Sequence, residues 1–188
     1  MSSPATILSK HDPSAEGLTM VDWQAVVSEH GGAVWRTAYR LLGNRADAED
    51  CFQDAFVSAL RFARREEVRD WGALLRRLAT ARALDRLRHR RRRSGFQGNL
   101  EDWDTVPGHN PGPEESAAGR ELAGRLRRAL GRLPGREAEV FCLICLEDLG
   151  RQDVARQFGI SPEAVSVALH RARTRLWRLL SPGVESRK

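Results

Sequence analysis

Arginine is the residue type with which this chain could do most chemistry. Of its 31 basic residues only Lys10 and Lys188 are lysines. The planar guanidinium fork, with its donors in fixed geometry, suits phosphate oxygens and base edges. These arginines are grouped. From Asp70 to Arg93 nine stand against Asp70 and Asp85, and from Gly150 to Arg178 six stand against Asp153 and Glu163. Between the blocks, Phe96 to Gly119 holds five acids and no Lys or Arg. Two basic blocks around an acidic spacer fit two contacts with one polyanion; the competing reading is two solvated helical faces. Within the first block Arg82, Arg86, His89, Arg90 and Arg93 recur every three or four residues. On a helix that spacing makes one stripe for a phosphate backbone.

A second stripe has the opposite sign. Asp47, Asp50 and Asp54 follow at spacings of three and four, with Glu49 and Gln53 beside them. Such a face is either solvated or read by a basic partner helix. Bond-making chemistry has no comparable support. No glycine-rich phosphate loop, no H-E-x-x-H and no clustered nucleophile and base occur, and His11, His30, His89, His109 and His170 are scattered. An enzyme is not expected. Cys142 and Cys145 form a C-x-x-C without a second pair, and Cys51 stands apart in an apolar pattern. Buried thiols in a reducing compartment are the expectation, with no metal and no cofactor. No apolar run approaches a membrane span and the N-terminus lacks a signal-peptide order, so the expected location is cytoplasmic, with no membrane partner.

The elements that must carry these residues read as helices throughout, since no stretch alternates as a strand does. Residues 1–19 form a polar arm. A first helix starts near Met20 and carries Val21, Trp23, Val26, Val27, Val34, Trp35, Ala38, Leu41 and Leu42, with a bend or break expected at Gly31-Gly32. Asn44 caps the acidic helix, whose other face is Ala48, Phe52, Ala55, Phe56 and Ala59. A loop is expected from Arg61 to Asp70. Trp71 then opens the arginine helix over Leu74, Leu75, Leu78, Ala81, Leu84 and Leu87. Residues 94–118, rich in Pro, Gly and acids with Trp103 as the one large apolar residue, read as a linker. Helices resume near Gly119 with Leu122, Leu126 and Leu130. After the turn at Leu133-Pro134-Gly135, Val140, Phe141, Ile144 and Leu146 form a further pattern. The fold class is all-α: two small helical domains, 20–93 and 119–180, joined by a flexible linker, with 181–188 as a tail.

The stretch Gly150 to Trp177 has the grammar of a helix-turn-helix. Val154, Ala155 and Phe158 face inward, Gly159 stands where a left-handed residue is needed, Ser161 caps, Pro162 fits the first helical position and Glu163 suits the first turn. Val165, Leu169, Ala172 and Leu176 make the core stripe of the second helix. Ser166, Val167, His170, Arg171, Arg173 and Thr174 are left outward. Duplex DNA binding is the default use of this motif, and a plain corner in a helical bundle is the alternative.

The run Asp47-Ala48-Glu49-Asp50-Cys51-Phe52-Gln53-Asp54-Ala55-Phe56, then Trp71, then Leu84-Asp85-Arg86-Leu87-Arg88 before an arginine run, resembles the second conserved region of bacterial sigma factors of the extracytoplasmic-function (ECF) group of the sigma-70 family. Leu130-Gly131-Arg132-Leu133-Pro134, Arg136-Glu137, Glu139-Val140-Phe141, Gly159-Ile160-Ser161 and Leu169-His170-Arg171-Ala172-Arg173 resemble that group's fourth region. The resemblance covers about residues 20–93 and 119–180. It implies a promoter-specificity subunit whose partners are core RNA polymerase, at the largest subunit's clamp coiled coil and at the flap, and promoter DNA, duplex and single-stranded, with an anti-sigma factor as a further partner of the group.

By resemblance, Asp47, Glu49, Asp50, Gln53 and Asp54 dock on core polymerase. Trp71, Arg82, Asp85, Arg86, Arg90 and Arg93 handle the −10 element, where opening begins and a base is captured from the stack. Pro162, Glu163, Ser166, Val167, His170, Arg171 and Arg173 meet the −35 element. Ala81 stands where many members have Asn, and Ser166 and Ala168 where basic residues are usual. The expected consequence of Ala81 is loss of a −10 contact, and that of Ser166 and Ala168 is weakened base choice at −35, with Arg171 and Arg173 gripping phosphate. The runner-up is a two-domain helix-turn-helix DNA-binding regulator that never joins polymerase, and a third reading is an interaction protein with a borrowed motif. The acidic stripe discriminates, since a simple repressor has no need of it.

Overall fold

Residues 21–97 and 117–181 are described by the structure, a computed structural model. The arm 1–19, Trp103 with most of the linker, and the tail beyond Ser181 lie outside the described residues. Among the described residues the chain forms helices α1 (Trp23–Leu42), α2 (Arg45–Ala63), α3 (Trp71–Gln97), α4 (Ala117–Leu130), α5 (Gly135–Cys145), α6 (Arg151–Phe158) and α7 (Pro162–Leu180), with no strand. No helix among them is long and apolar enough to cross a membrane.

Local chemistry sets the boundaries. The Asp22 carboxylate accepts from the amides of Gln24 and Ala25, both at 3.0 Å, and starts α1. Gly43 ends it at φ 75°, its amide donating to the Tyr39 carbonyl at 2.8 Å. Asn44 caps α2 by accepting from the Asp47 amide at 2.9 Å, and its own amide group donates to the Asp47 carboxylate at the same distance. Asp70 caps α3 through the Ala73 amide at 2.8 Å. These acceptors satisfy amides that a helix start leaves without partners.

Two expected boundaries move. Helix α1 runs unbroken through Gly31 and Gly32, because Val26 and Val34 on either side pack into one cluster with Ala55 and Leu75. Helix α2 continues to Ala63, past the expected loop start at Arg61, so the connection to α3 is shorter than the sequence suggests. At the other end α3 continues to Gln97, past the expected linker start at Ser94.

Three apolar clusters organise the helices. One lies within α1–α3: Val26, Val34, Ala55, Ala59, Leu75 and Ala79, flanked by Trp23, Phe52, Phe56 and Trp71. A second lies within α5–α7: Val140, Leu143, Val154, Ala155, Val165 and Leu169. The third joins the halves. Ala38, Leu41, Leu42, Ala48, Cys51, Ala83, Leu84 and Leu87 from the first half share it with Leu130, Leu133, Ala138, Cys142, Ala172 and Leu176 from the second. The two helical units read from the sequence therefore pack directly on one another.

Charged groups border that junction. Thr37 donates from Oγ1 to Glu147 at 2.7 Å, and Arg40 lies 3.7 Å from the same carboxylate. Arg127 donates to the Arg40 carbonyl at 3.1 Å. Arg77 donates to the Gln157 carbonyl and stands over the Phe158 ring, 4.6 Å from its centroid, while Arg136 covers that ring at 4.3 Å. One aromatic ring of the helix-turn-helix is thus held by a cation from each half.

Candidate nucleic-acid and partner interface

The helix-turn-helix corner forms as its residues dictate. Gly159 takes φ 61°, and the Ile160 amide reaches back to the Ala155 carbonyl at 3.1 Å, closing α6 with a left-handed cap. Ser161 accepts from the Ala164 amide at 3.2 Å, and Pro162 occupies the first turn. The Glu163 carboxyl is held below its ordinary value, first by its own backbone amide and then by Ser161. Val165, Leu169, Ala172 and Leu176 are the buried residues of α7. Pro162, Glu163, Val167, His170, Arg171 and Arg173 are exposed; Ser166 is half-buried and donates to the Pro162 carbonyl at 3.0 Å. Arg173 also reaches the Cys145 sulfur at 3.5 Å. The outward face of α7 can therefore approach a groove without rearrangement of the core beneath it.

The other two candidate groups meet each other. On α2, Glu49, Asp50, Gln53 and Asp54 are exposed and Asp47 is half-buried. On α3, Arg82, Asp85 and Arg93 are exposed and Arg86 and Arg90 half-buried. The Arg86 guanidinium lies 3.6 Å from Asp47, 3.3 Å from Asp50 and 3.0 Å from Asp54, and Arg90 pairs with Asp47. Glu49 pairs instead with Arg45 of its own helix at 2.7 Å. Arg82 donates to the Ser58 hydroxyl at 3.0 Å, and Asp85 pairs with Arg88 at 2.8 Å. Trp71 sits edge-on to Trp23, 5.1 Å between ring centroids, half-buried at the rim of the first cluster.

Several residues meet here whose association sequence reasoning did not give. Arg77, Glu139, Arg136 and Phe158 form a charged cluster at the junction of the two halves. Burial lowers the Arg77 guanidinium and raises the Glu139 carboxyl, each opposed by the other's charge. The available signal was a Glu and an Arg inside otherwise apolar helical patterns. Leu122, which recurs with Leu126 and Leu130 every four residues, is 57 % exposed, and Trp177 is 73 % exposed. Of the thiols expected to be buried, Cys51 and Cys142 are and Cys145 is half-buried; desolvation pushes Cys51 up to about 11 and raises Cys142 further. Among the described residues no three His, Cys, Asp or Glu side chains are grouped to hold a metal.

Known proteins match this arrangement in chain order. The family model for sigma-70 region 2 matches residues 26–93 and that for sigma-70 region 4 matches residues 123–176. The ECF RNA polymerase sigma factor SigE of Mycolicibacterium smegmatis is 32% identical over 165 residues, an alignment covering 88% of this chain and 64% of that protein. The RNA polymerase sigma factor CnrH of Cupriavidus metallidurans is 31% identical over 166 residues, covering 85% of this chain and 87% of CnrH. Among solved structures, the sigma factor RpoE of Bartonella quintana, in complex with the anti-sigma factor NepR, superposes with a TM-score of 0.54 at 22% identity, covering 85% of this chain and 96% of that one. CnrH in complex with the cytosolic domain of CnrY gives 0.53 at 24%, covering 84% and 86%. At that identity the two structures speak for the fold.

Proposed function

This chain belongs to the sigma-70 family of RNA polymerase sigma factors and to its ECF group, and we propose from that premise that it joins core RNA polymerase in the cytoplasm and directs promoter recognition and opening. The observation that carries this reading is an exposed acidic face on α2 in the same chain as an arginine helix and a helix-turn-helix. A regulator acting on DNA alone has a use for the last two and none for the first.

In this reading Asp47, Glu49, Asp50, Gln53 and Asp54 dock on the basic clamp coiled coil of the largest polymerase subunit, and the second unit engages the flap. Trp71 and the arginines of α3 hold the opening −10 element, where a groove of cations and an aromatic ring offset the cost of unstacking a base, a few kcal/mol. The outward face of α7 enters the major groove at −35. Ser166 donates to its own helix, so Arg171 and Arg173 there supply grip and little base choice. The chain makes and breaks no bond itself; binding energy is directed at an opened duplex. An anti-sigma factor is the further partner that membership of this group implies.

The test is transcription in vitro by core polymerase from a mixed promoter library, with and without the chain. Template-specific initiation that depends on the chain is the expected result. Unchanged core binding by the double variant Asp50→Arg, Asp54→Arg overturns the assignment of the acidic face.

A further inference from the structure

The outward face of α7 continues past the residues assigned to −35. Ser166, His170, Arg173 and Trp177 follow one another at spacings of four, three and four, which places them on one stripe of the helix. Trp177 closes that stripe and at 73 % is the most exposed large apolar side chain among the described residues. Its surroundings are cationic. From Ala164 to Ser181 the chain carries Arg171, Arg173, Arg175 and Arg178 and no Asp or Glu. Arg175 pairs with Glu137 at 3.0 Å, whereas Arg173 rests on the Cys145 sulfur at 3.5 Å, a weak acceptor. Two cations cover Phe158, yet among the described residues no ring or cation covers the indole of Trp177.

Helix geometry says what such a residue meets. From Pro162 to His170 the axis rises about 12 Å, which is about the width of the major groove of B-DNA. From His170 to Trp177 it rises about 10 Å more. A recognition helix that gives its N-terminal turns to base edges therefore carries Trp177 to the rim, where sugars and phosphates stand. An indole matches both, with an apolar ring and one N–H that can only donate. We propose that Trp177 is a further contact to duplex DNA: its ring packs on a deoxyribose at the groove's edge and its Nε1–H donates to the adjoining phosphate, beside Arg173 and Arg178. This rests on the reading of α7 as a duplex-DNA face and lengthens that face by one turn. Continuity with the stripe, and the lack of any acid beside it, favour a nucleic-acid ridge over a protein partner. The contact is indifferent to base sequence, because it touches none.

The test uses the full-length chain and a fluorescein-labelled alternating A·T duplex of about 30 base pairs, with anisotropy followed over a series of salt concentrations. Trp177→Ala is expected to weaken binding on the order of tenfold, and Trp177→Phe, which keeps a ring and loses the N–H, on the order of threefold. Because the indole is uncharged and releases no counterion, the slope of log affinity against log salt is expected to stay as in the wild type. A flattened slope overturns the direct contact, since Trp177 would then act by placing arginines. Unchanged affinity in Trp177→Phe overturns the donated hydrogen bond, and unchanged affinity in Trp177→Ala overturns the whole proposal.

Arg171→Ala with Arg173→Ala separates this proposal from the reading beneath it. Loss of affinity and a flatter salt slope in that pair, with no loss in the Trp177 variants, would keep α7 as the DNA face and overturn the contact; no loss in either would overturn both. Two further probes distinguish other uses of the ring. On a fluorescein-labelled oligodeoxythymidylate the Trp177→Ala loss is expected to be much smaller than on the duplex, and an equal or larger loss means that the ring stacks on unpaired bases and overturns the proposal. Core polymerase affinity is expected to be unaltered. A weakened affinity for core polymerase beside an unchanged affinity for the duplex would make Trp177 a protein anchor and overturn it. Thermal melts confirm that each variant is folded, as the exposure of the side chain leads one to expect.

Discussion

Glu139 shows how a single half-buried charge divides its role between stability and contact. It lies among Arg77, Arg136 and Arg88, all of which favour its ionised form, yet burial outweighs them and its carboxyl stays above the ordinary value. A folded-state value raised above the unfolded one means that the folded chain holds a proton more tightly, so its contribution is fully present in acid and is lost as pH rises through the folded value. At neutral pH the ionised group is therefore a net cost. We predict that Glu139→Gln raises the Tm at pH 7 by about 1 °C at most, since the group is only half-buried and solvent screens much of its cost. The gain should shrink as pH falls into the carboxyl range, and calorimetric melts at pH 4 and pH 7 check it. An equal or larger gain in acid would mean that the charge is stabilising. The thiols give a second residue-scale expectation. Cys51 and Cys142 are buried and their thiols raised, whereas Cys145 is half-buried. Brief iodoacetamide treatment of the folded chain at pH 8 should modify Cys145 first, as peptide mass spectrometry would show.

At the scale of elements, the helix-turn-helix was legible because its determinants are local. A left-handed position at Gly159, a capping hydroxyl at Ser161 and an apolar spacing of four, three and four in α7 each act within a few residues, and each forms as read. The same locality makes the corner sensitive. Gly159→Ala meets no atom within 4 Å, so its cost is the left-handed strain alone, about 1 kcal/mol. Ser161→Ala removes one cap, again about 1 kcal/mol. We predict that Ser161→Ala lowers duplex promoter affinity more than its loss of stability explains, because the fraying turn carries Pro162, Glu163 and Ser166. Hydrogen exchange at the amides of Ala164 and Val165 should quicken while α5 is unaffected; unchanged exchange there would reject the argument. Where partners are distant in sequence, reading by pattern failed. Leu122 continues a four-residue spacing with Leu126 and Leu130, yet only Leu130 is fully buried, since α4 touches its neighbours mainly through its C-terminal end. Gly31-Gly32 carries a breaker's composition, yet α1 runs through it because Val26 and Val34 on either side are held by α2 and α3.

The whole molecule adds what neither domain shows alone. Patterning reads 20–93 and 119–180 as two helical units, but their mutual packing depends on which faces of α3, α4, α5 and α7 are complementary, a tertiary property with no periodic signature. Leu84 and Leu87 of α3 and Leu130 and Leu133 near the end of α4 share one cluster, each nearly or fully buried. Burial of that extent couples the stability of the two halves, because separating them returns all four leucines to water. We predict that Leu130→Ala costs about 2–5 kcal/mol, the range for a leucine truncated in a packed core. Its effect should not stay in the second half. With Trp103 and Trp177 replaced by Phe, fluorescence of Trp23, Trp35 and Trp71 in the first unit should report the same lowered denaturation midpoint as hydrogen exchange in α6 and α7, in a single transition. Two midpoints, with only the second unit shifted, would mean that the halves fold independently and that the shared cluster adds little. A single midpoint would mean that any rearrangement that draws the units apart on a promoter must first overcome this core, and that partner binding supplies the free energy to do so.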